Sequence, residues 1–244
     1  MLLSTFMECT NCGAMVGQNF CSACGQSTRK HRKSLLGVCQ DALGDFLAFD
    51  SKVFRSILPL LFKPGFLTAE YLAGKRASYI SPVRLYVFVT IVFFWLSESV
   101  FDQFQLQISE DVASEGLSPS QLAQLLDALI ETLPNFLVLG VPLIALLLYA
   151  IHRNPRHLFY DHLIFCLHNH AFFFILVFLV DWLPESVEGV VAPPVFFAYL
   201  LVALRGVYRR PWIRSAIKAL ILSLFSPLVL LGVLIGSAVQ AVSS

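Results

Sequence analysis

Long apolar runs constrain this chain more than any other feature. They cover residues 85–100, 136–151, 163–180, 190–204 and 219–239. A helix needs about 17–25 mostly apolar residues to cross roughly 30 Å of hydrocarbon. Such segments must be helical, because lipid cannot hydrogen-bond exposed backbone groups. Because 57% of all residues are hydrophobic and only 14% are charged, the sequence predicts an all-α polytopic membrane protein with about five transmembrane helices.

The fourth run is the weakest of the five. It is short and contains Pro193 and Pro194 near one end. A re-entrant or partly buried segment is the alternative interpretation. We keep it as a full span, because removing it would place the arginines that follow it on the opposite side of the membrane from all other cations.

The cationic residues all fall on one side of a bilayer crossed five times. Of the 17 lysines and arginines, ten precede the first run, two follow the second and five follow the fourth. Loops rich in lysine and arginine stay in the cytoplasm. The sequence therefore predicts a multi-pass membrane protein with its N-terminus in the cytosol and its C-terminus on the opposite side of the membrane.

Four cysteines near the N-terminus have the spacing of a metal ribbon. Cys9 and Cys12 form one CxxC pair, Cys21 and Cys24 form a second, and a glycine follows each pair. Two such pairs can place four thiolates around one Zn²⁺, and a site filled by four protein ligands is structural rather than catalytic. Two disulfides are the alternative, which a reducing cytosol disfavours. We expect a cytosolic zinc ribbon over residues 1–28.

Residues 29–82 are predicted to form a basic linker and interfacial amphipathic helices, and residues 83–244 the transmembrane bundle. The cluster at 29–33 is strongly basic. Anionic lipid attracts such a cluster beside a membrane, whereas nucleic acid is the less favoured partner. Two helices are expected before a break at Pro64 and Gly65, with a short third helix after it. Cys39 is interpreted as a small buried apolar residue.

A second basic motif lies just before the first predicted span. Lys75, Arg76 and Arg84 fall within GKRASYISPVRLY, where Pro82 suits the first turn of a helix. We interpret the three cations as contacts for lipid phosphates, with a specific anionic ligand as the alternative.

This motif, the CxxCG…CxxCGQ ribbon and the run DHLIFCLHNHAF at 161–172 occur in this order. Together they resemble an uncharacterised bacterial membrane family, the domain-of-unknown-function family 3667. The resemblance implies a location in the bacterial inner membrane and no established activity. Asp161 stands where the family pattern would have glutamate, which shortens the reach of the carboxylate.

Histidines lie inside the third predicted span. His168 and His170 are six and eight residues beyond His162, so they enter the hydrocarbon by about 9 and 12 Å. At about 100° per residue they point to nearly opposite faces, which excludes chelation of one metal by both. Asp161 and His168 are seven residues apart and are predicted to share a helix face to within about 20°. Metal or haem ligation and a proton relay with Asp161 are the functional interpretations, and hydrogen bonds between helices are the structural one.

Three classes of function follow from these features. The favoured one is an adaptor or regulator, in which the ribbon binds a cytosolic protein and the bundle anchors it in the lipid bilayer. The alternatives are a transporter and a metal- or haem-dependent membrane enzyme, both using the candidate residues Asp161, His162, His168 and His170. Because the strongest chemical site is structural, an enzyme is less favoured. The substrate and the oligomeric state are not specified by the sequence.

Overall fold

The protein was analysed as a computed structural model that describes residues 7–17, 19–28, 52–96, 139–152, 154–155 and 157–243, without the side chains at 185, 186, 188, 230, 231 and from 233 onward. The described residues form one two-stranded sheet and seven helices. The strands are β1 (Met7–Glu8) and β2 (Met15–Val16), and the helices are α1 (Lys52–Phe62), α2 (Phe66–Leu72), α3 (Pro82–Leu96), α4 (Leu139–His152), α5 (Phe159–Val180), α6 (Glu185–Tyr208) and α7 (Trp212–Ser243).

Helix α5 is the centre of the bundle. It packs against α3, α6, α1 and α2, and its Phe165, Cys166 and Ala171 are almost completely buried. Aromatic rings from two neighbours close around it: Phe93 of α3 lies 5.0 Å from Phe174, and Tyr199 of α6 is stacked on Phe172. A helix that is apolar on all sides is buried in this way by its neighbours.

Three helices are long and apolar enough to cross a membrane: Phe159–Val180, Gly189–Tyr208 within α6, and Trp212–Val229 within α7. The outward faces of α6 and α7 are largely apolar and exposed, and the exposed Leu220, Leu224 and Leu228 form a stripe along α7. Apolar surface of this extent requires a nonaqueous environment. A membrane location is thus supported by the structure as well as by composition.

The predicted first and second spans correspond to α3 and α4. Their described parts are 15 and 14 residues, or about 22 and 21 Å of helix, and the chain between them lies outside the described residues. The fourth predicted span is instead a continuous helix of 24 residues that contains Pro193 and Pro194. A helix of this length can cross the hydrocarbon layer, whereas the alternative of a re-entrant segment would have a shorter helix.

The predicted break at Pro64 and Gly65 is confirmed, and so is the short helix after it. The carbonyl of Leu60 would normally accept from residue 64, but proline has no N–H. The Tyr199 hydroxyl donates to that carbonyl instead, over 2.6 Å. Gly65 takes φ = +77° and lies so close to α6 that a Cβ would be 2.8 Å from the Ala203 oxygen. Helices α1 and α2 are thereby fastened to the bundle; the linker before them, with Cys39, lies outside the described residues.

One end of the bundle collects the end of α4, the start of α5, the end of α6 and the start of α7. His162 lies 2.7 Å from the hydroxyl of Tyr208, and Lys218 lies 2.6 Å from His152. Tyr160 also donates to Tyr71 of α2 over 3.3 Å. Successive helices α4 to α7 therefore alternate in direction.

Candidate metal centre and the histidines of α5

The four N-terminal cysteines come together in two similar turns. In each turn the backbone N–H of the glycine after the pair donates to the carbonyl of the first cysteine: Gly13 to Cys9 over 2.9 Å, and Gly25 to Cys21 over 2.8 Å. The glycines have φ of +76° and +73°, a conformation that is costly for other residues. The repeated geometry follows from the repeated CxxCG motif.

The distances between the sulfur atoms suit a tetrahedral metal site. The Sγ atoms of Cys9 and Cys24 are 3.7 Å apart, those of Cys12 and Cys21 are 3.5 Å apart, and all four lie within 4.8 Å of one another. Tetrahedral zinc with bonds of about 2.3 Å requires sulfur atoms about 3.8 Å apart. A disulfide would need about 2.05 Å, and the four cysteines are free thiols. The four cysteines could therefore hold a metal ion.

The backbone also favours a thiolate at this site. The N–H groups of Cys12 and Asn11 lower the pKa of the Cys9 thiol to about 7. Thiolate is the form that binds metal.

The apolar core of the ribbon is small. Cys9 and Cys21 are buried against Val16, the largest apolar side chain packed in it. So little apolar surface cannot supply the folding energy of a domain, so metal binding would have to contribute it.

The ribbon is joined to the loop that leads into α3, an arrangement that the sequence analysis did not predict. Gln26 donates through Nε2 to the carbonyl of Gly74 over 2.9 Å, and its Oε1 accepts from the N–H groups of Arg76 and Ala77 over 3.0 and 3.2 Å. Asn11 accepts from the Ser78 hydroxyl over 3.1 Å. We call residues 74–78 the entry loop. The sequence feature that could have indicated this contact is the glutamine directly after the second CxxCG motif.

The other end of this segment is fixed to α1. The Ser56 hydroxyl is completely buried; it donates to the carbonyl of Lys52 and accepts from the N–H of Ile80 over 3.0 Å. The entry loop is therefore held between the ribbon on one side and the bundle on the other.

Lys75 and Arg76, which were predicted to contact lipid, interact with protein groups. Lys75 forms an ion pair with Glu70 at 2.7 Å, and the Arg76 guanidinium lies 5.1 Å from the centre of the Tyr71 ring. Arg84 lies in the first turn of α3. Contact of these three cations with lipid phosphate stays a prediction.

The candidate histidines of α5 each have a different partner. Thr68 of α2 hydrogen-bonds His168 over 2.9 Å, Tyr208 of α6 hydrogen-bonds His162 over 2.7 Å, and His170 donates to the carbonyl of Cys166 over 2.8 Å. The structure does not bring these three imidazoles to one metal site. The bonds of His168 and His162 join α5 to α2 and α6, which fits the interpretation as hydrogen bonds between helices, whereas the bond of His170 stays within α5.

Asp161 is at the start of α5 rather than beside His168. Its carboxylate accepts from the backbone N–H of Leu158 over 3.0 Å, which satisfies a donor that the helix leaves unpaired. It also lies 3.6 Å from Nδ1 of His157. The shared face predicted for Asp161 and His168 therefore does not make them partners.

Sequence analysis missed the grouping of His152 and His157 with His162. The three rings lie 5.3–6.1 Å from one another and pack around Tyr208. His152 and His157 lie at the two ends of the connection between α4 and α5, and Tyr208 ends α6. The spacing of these residues in the sequence does not indicate that they meet.

Comparison with known proteins gives one family match. Neither the curated proteins nor the solved structures gave a match. The family match covers residues 50–94. This segment includes α1, α2, the entry loop and most of α3, and it is the part of the bundle that contacts the ribbon. Residues 50–94 match the model of the family described as protein of unknown function (DUF3667), which is the family that the sequence motifs resemble.

Proposed function

We propose that this chain is a membrane-anchored regulator or adaptor, in which a zinc-loaded cytosolic ribbon controls the segment entering the first transmembrane helix. The observation that carries the proposal is the contact of Gln26 with the entry loop, because one side chain satisfies three backbone groups of that loop. Metal binding folds the ribbon, and the folded ribbon then holds the loop.

Zinc is the metal that this donor set favours. Four cysteine thiolates in tetrahedral geometry are characteristic of zinc and of iron–sulfur centres, and the CxxCG turns suit a closed structural site. A ribbon at residues 1–28, a linker with interfacial helices at 29–82 and a bundle at 83–244 form the proposed organisation.

Five spans with the ribbon in the cytosol are the proposed topology. The alternation of α4 to α7 supports it, and Arg205, Arg209 and Arg210 lie at the same end of the bundle as the ribbon and the entry loop. Loops with this charge remain in the cytoplasm. A phosphatase fused to the C-terminus should be active in a bacterial host and one fused to the N-terminus inactive; the opposite pattern would refute this orientation.

A cytosolic protein is the proposed partner of the ribbon. Met7, Met15 and Phe20 are 50–65% exposed, so the ribbon offers apolar side chains that could contact another protein and form its docking surface. The bundle, bound to lipid, would hold this surface at the membrane.

Hydrogen exchange of the full-length protein tests the coupling between metal and loop. With zinc bound, the amides of Arg76 and Ala77 should exchange slowly. Cys9→Ser should lower the zinc content and speed exchange of both amides. Gln26→Ala should speed the same exchange while zinc content stays at one per chain.

Two control variants sharpen this experiment. Gln26→Glu keeps an acceptor for Arg76 and Ala77 but loses the donor to Gly74, so its exchange should be intermediate. Glu8→Gln changes an exposed ribbon side chain that does not contact the loop and should leave exchange unchanged. Unchanged loop exchange in Gln26→Ala and in Cys9→Ser would refute the coupling.

A further inference from the structure

A basic cavity opens at the end of the bundle where α4 to α7 meet. Its volume is about 510 Å³. The residues that line it come from the connection between α4 and α5 and from the turn between α6 and α7: Asn154, His157, Val207, Tyr208, Arg209 and Arg210. None of these residues takes part in the ribbon or in its contact with the entry loop.

The turn that carries the two arginines has a fixed and unusual backbone. Arg209 ends α6 with φ = +49°, a left-handed conformation that glycine or asparagine adopts far more readily. Arg205 holds the turn by donating to the carbonyl of Arg210 over 3.2 Å, while its guanidinium lies 4.4 Å from the centre of the Trp212 ring. Unfavourable backbone geometry of this kind is concentrated at ligand sites.

A buried polar pair lies directly behind the cavity wall. Lys218 is 2.6 Å from Nδ1 of His152. An ammonium group can only donate, so Nδ1 accepts and the proton of the neutral imidazole is on Nε2. The His152 side chain is 5% exposed, and its Nε2 has no hydrogen-bond partner among the described residues. The ring lies 4.3 Å from Tyr208 and 5.3 Å from His157, and both of these residues line the cavity.

This arrangement favours an oxygen anion over a metal ion. The two arginines of the lining attract an anion and repel a cation. His152 lies behind the lining, and its Nε2 carries a proton and therefore cannot ligate a metal. Within the described residues, the ribbon cysteines are the group that converges for metal binding. Asp161, which faces His157 from the start of α5, already accepts the Leu158 N–H.

We propose that this cavity binds a phosphate group, carried either by a lipid headgroup or by a soluble phosphate. The guanidinium groups of Arg209 and Arg210 offer paired donors that match phosphate oxygens. His157 also lines the cavity, and its imidazole is a further group that can donate to a phosphate oxygen. The position of the cavity at the ribbon end of the membrane helices gives access to both sources.

The test uses full-length, zinc-loaded protein in an uncharged detergent. Binding of inorganic phosphate is measured by calorimetry at constant ionic strength. Retention of phosphatidic acid is measured by native mass spectrometry after reconstitution in phosphatidylcholine nanodiscs that contain it. Saturable binding in the first arm identifies a free phosphate, and stoichiometric retention in the second alone identifies a lipid headgroup.

Matched variants locate the site. Arg210→Gln and Arg209→Gly should each weaken binding by about tenfold or more, as expected for losing a charge-assisted hydrogen bond. The glycine variant also relieves the left-handed backbone, so the protein should remain folded. Arg214→Gln removes the same charge one turn into α7, outside the cavity lining, and should leave affinity within about twofold.

Three results would overturn the proposal. One is that the folded protein shows saturable binding neither of inorganic phosphate nor of phosphatidic acid. A second is an equal loss of affinity in Arg214→Gln, which would show that diffuse positive charge and not the cavity attracts phosphate. The third is a stoichiometric transition metal that remains after Cys9→Ser and is lost in His152→Gln.

Discussion

Replacing Gly65 by alanine should destabilise the bundle more than its small size suggests. Gly65 has φ = +77°, and an added Cβ would lie 2.8 Å from the Ala203 oxygen and 3.0 Å from its Cα. Both atoms belong to the backbone of α6, so no side-chain rotation can relieve the contact. Helices α2 and α6 would have to separate.

The magnitude has two parts. A left-handed backbone costs a residue with a Cβ about 1–2 kcal/mol, and forcing a methyl group into a packed interface costs about 1–3 kcal/mol. Together they lower the free energy of unfolding by about 2–5 kcal/mol. At about 2–4 °C per kcal/mol for a chain of this size, the Tm should fall by roughly 5–20 °C.

Thermal unfolding of detergent-purified protein, followed by the loss of its monodisperse elution peak, measures this effect. Gly189→Ala is the matched control, because nothing lies within 4 Å of its added Cβ. Alanine there should raise stability by about 0.5–1 kcal/mol, since it favours the helix. If Gly65→Ala unfolds at the wild-type temperature, the close approach of α2 and α6 is refuted.

Two further predictions concern the proline break and the metal. Tyr199→Phe should lower the free energy of unfolding by about 1–3 kcal/mol, because the buried carbonyl of Leu60 loses its donor; the same thermal assay measures it, and an unchanged Tm would contradict the role given to the hydroxyl. Acidification should release the metal, because protons compete for the thiolates. A bound metal keeps thiolates deprotonated below the pKa of the free Cys9 thiol, which the backbone lowers to about 7, so release should be complete only near about pH 4. Elemental analysis after dialysis at each pH measures the release, and full retention of metal at about pH 3 would contradict thiolate ligation.

The features predicted correctly from the sequence depend on local patterns. The four cysteines converge because each CxxCG turn closes by a hydrogen bond within five residues. The helix break at Pro64 and Gly65 follows from a missing N–H and a left-handed backbone. The length of α6 was not predicted in this way, because the apolar run covers only residues 190–204, whereas the helix extends from Glu185 to Tyr208 and includes Pro193 and Pro194.

The partners of the polar residues could not be predicted in this way. His168 meets Thr68 at a separation of 100 residues, and Lys218 meets His152 at a separation of 66. Helical periodicity gives the direction of a side chain around its own axis, but it does not identify the neighbouring helix or the depth at which the two cross. For that reason Asp161 and His168 were assigned a shared face, although their partners are His157 and Thr68.

By itself, the sequence determined that this chain needs lipid around its apolar helices and that its cysteines can gather at one point, because hydropathy and turn geometry act over a few residues. Only the tertiary structure decided that Gln26 joins the ribbon to the entry loop and that His157, Tyr208 and two arginines line one cavity. These contacts link residues 46 or more positions apart. They exist only once helices have packed and the backbones have come close enough for short side chains to reach.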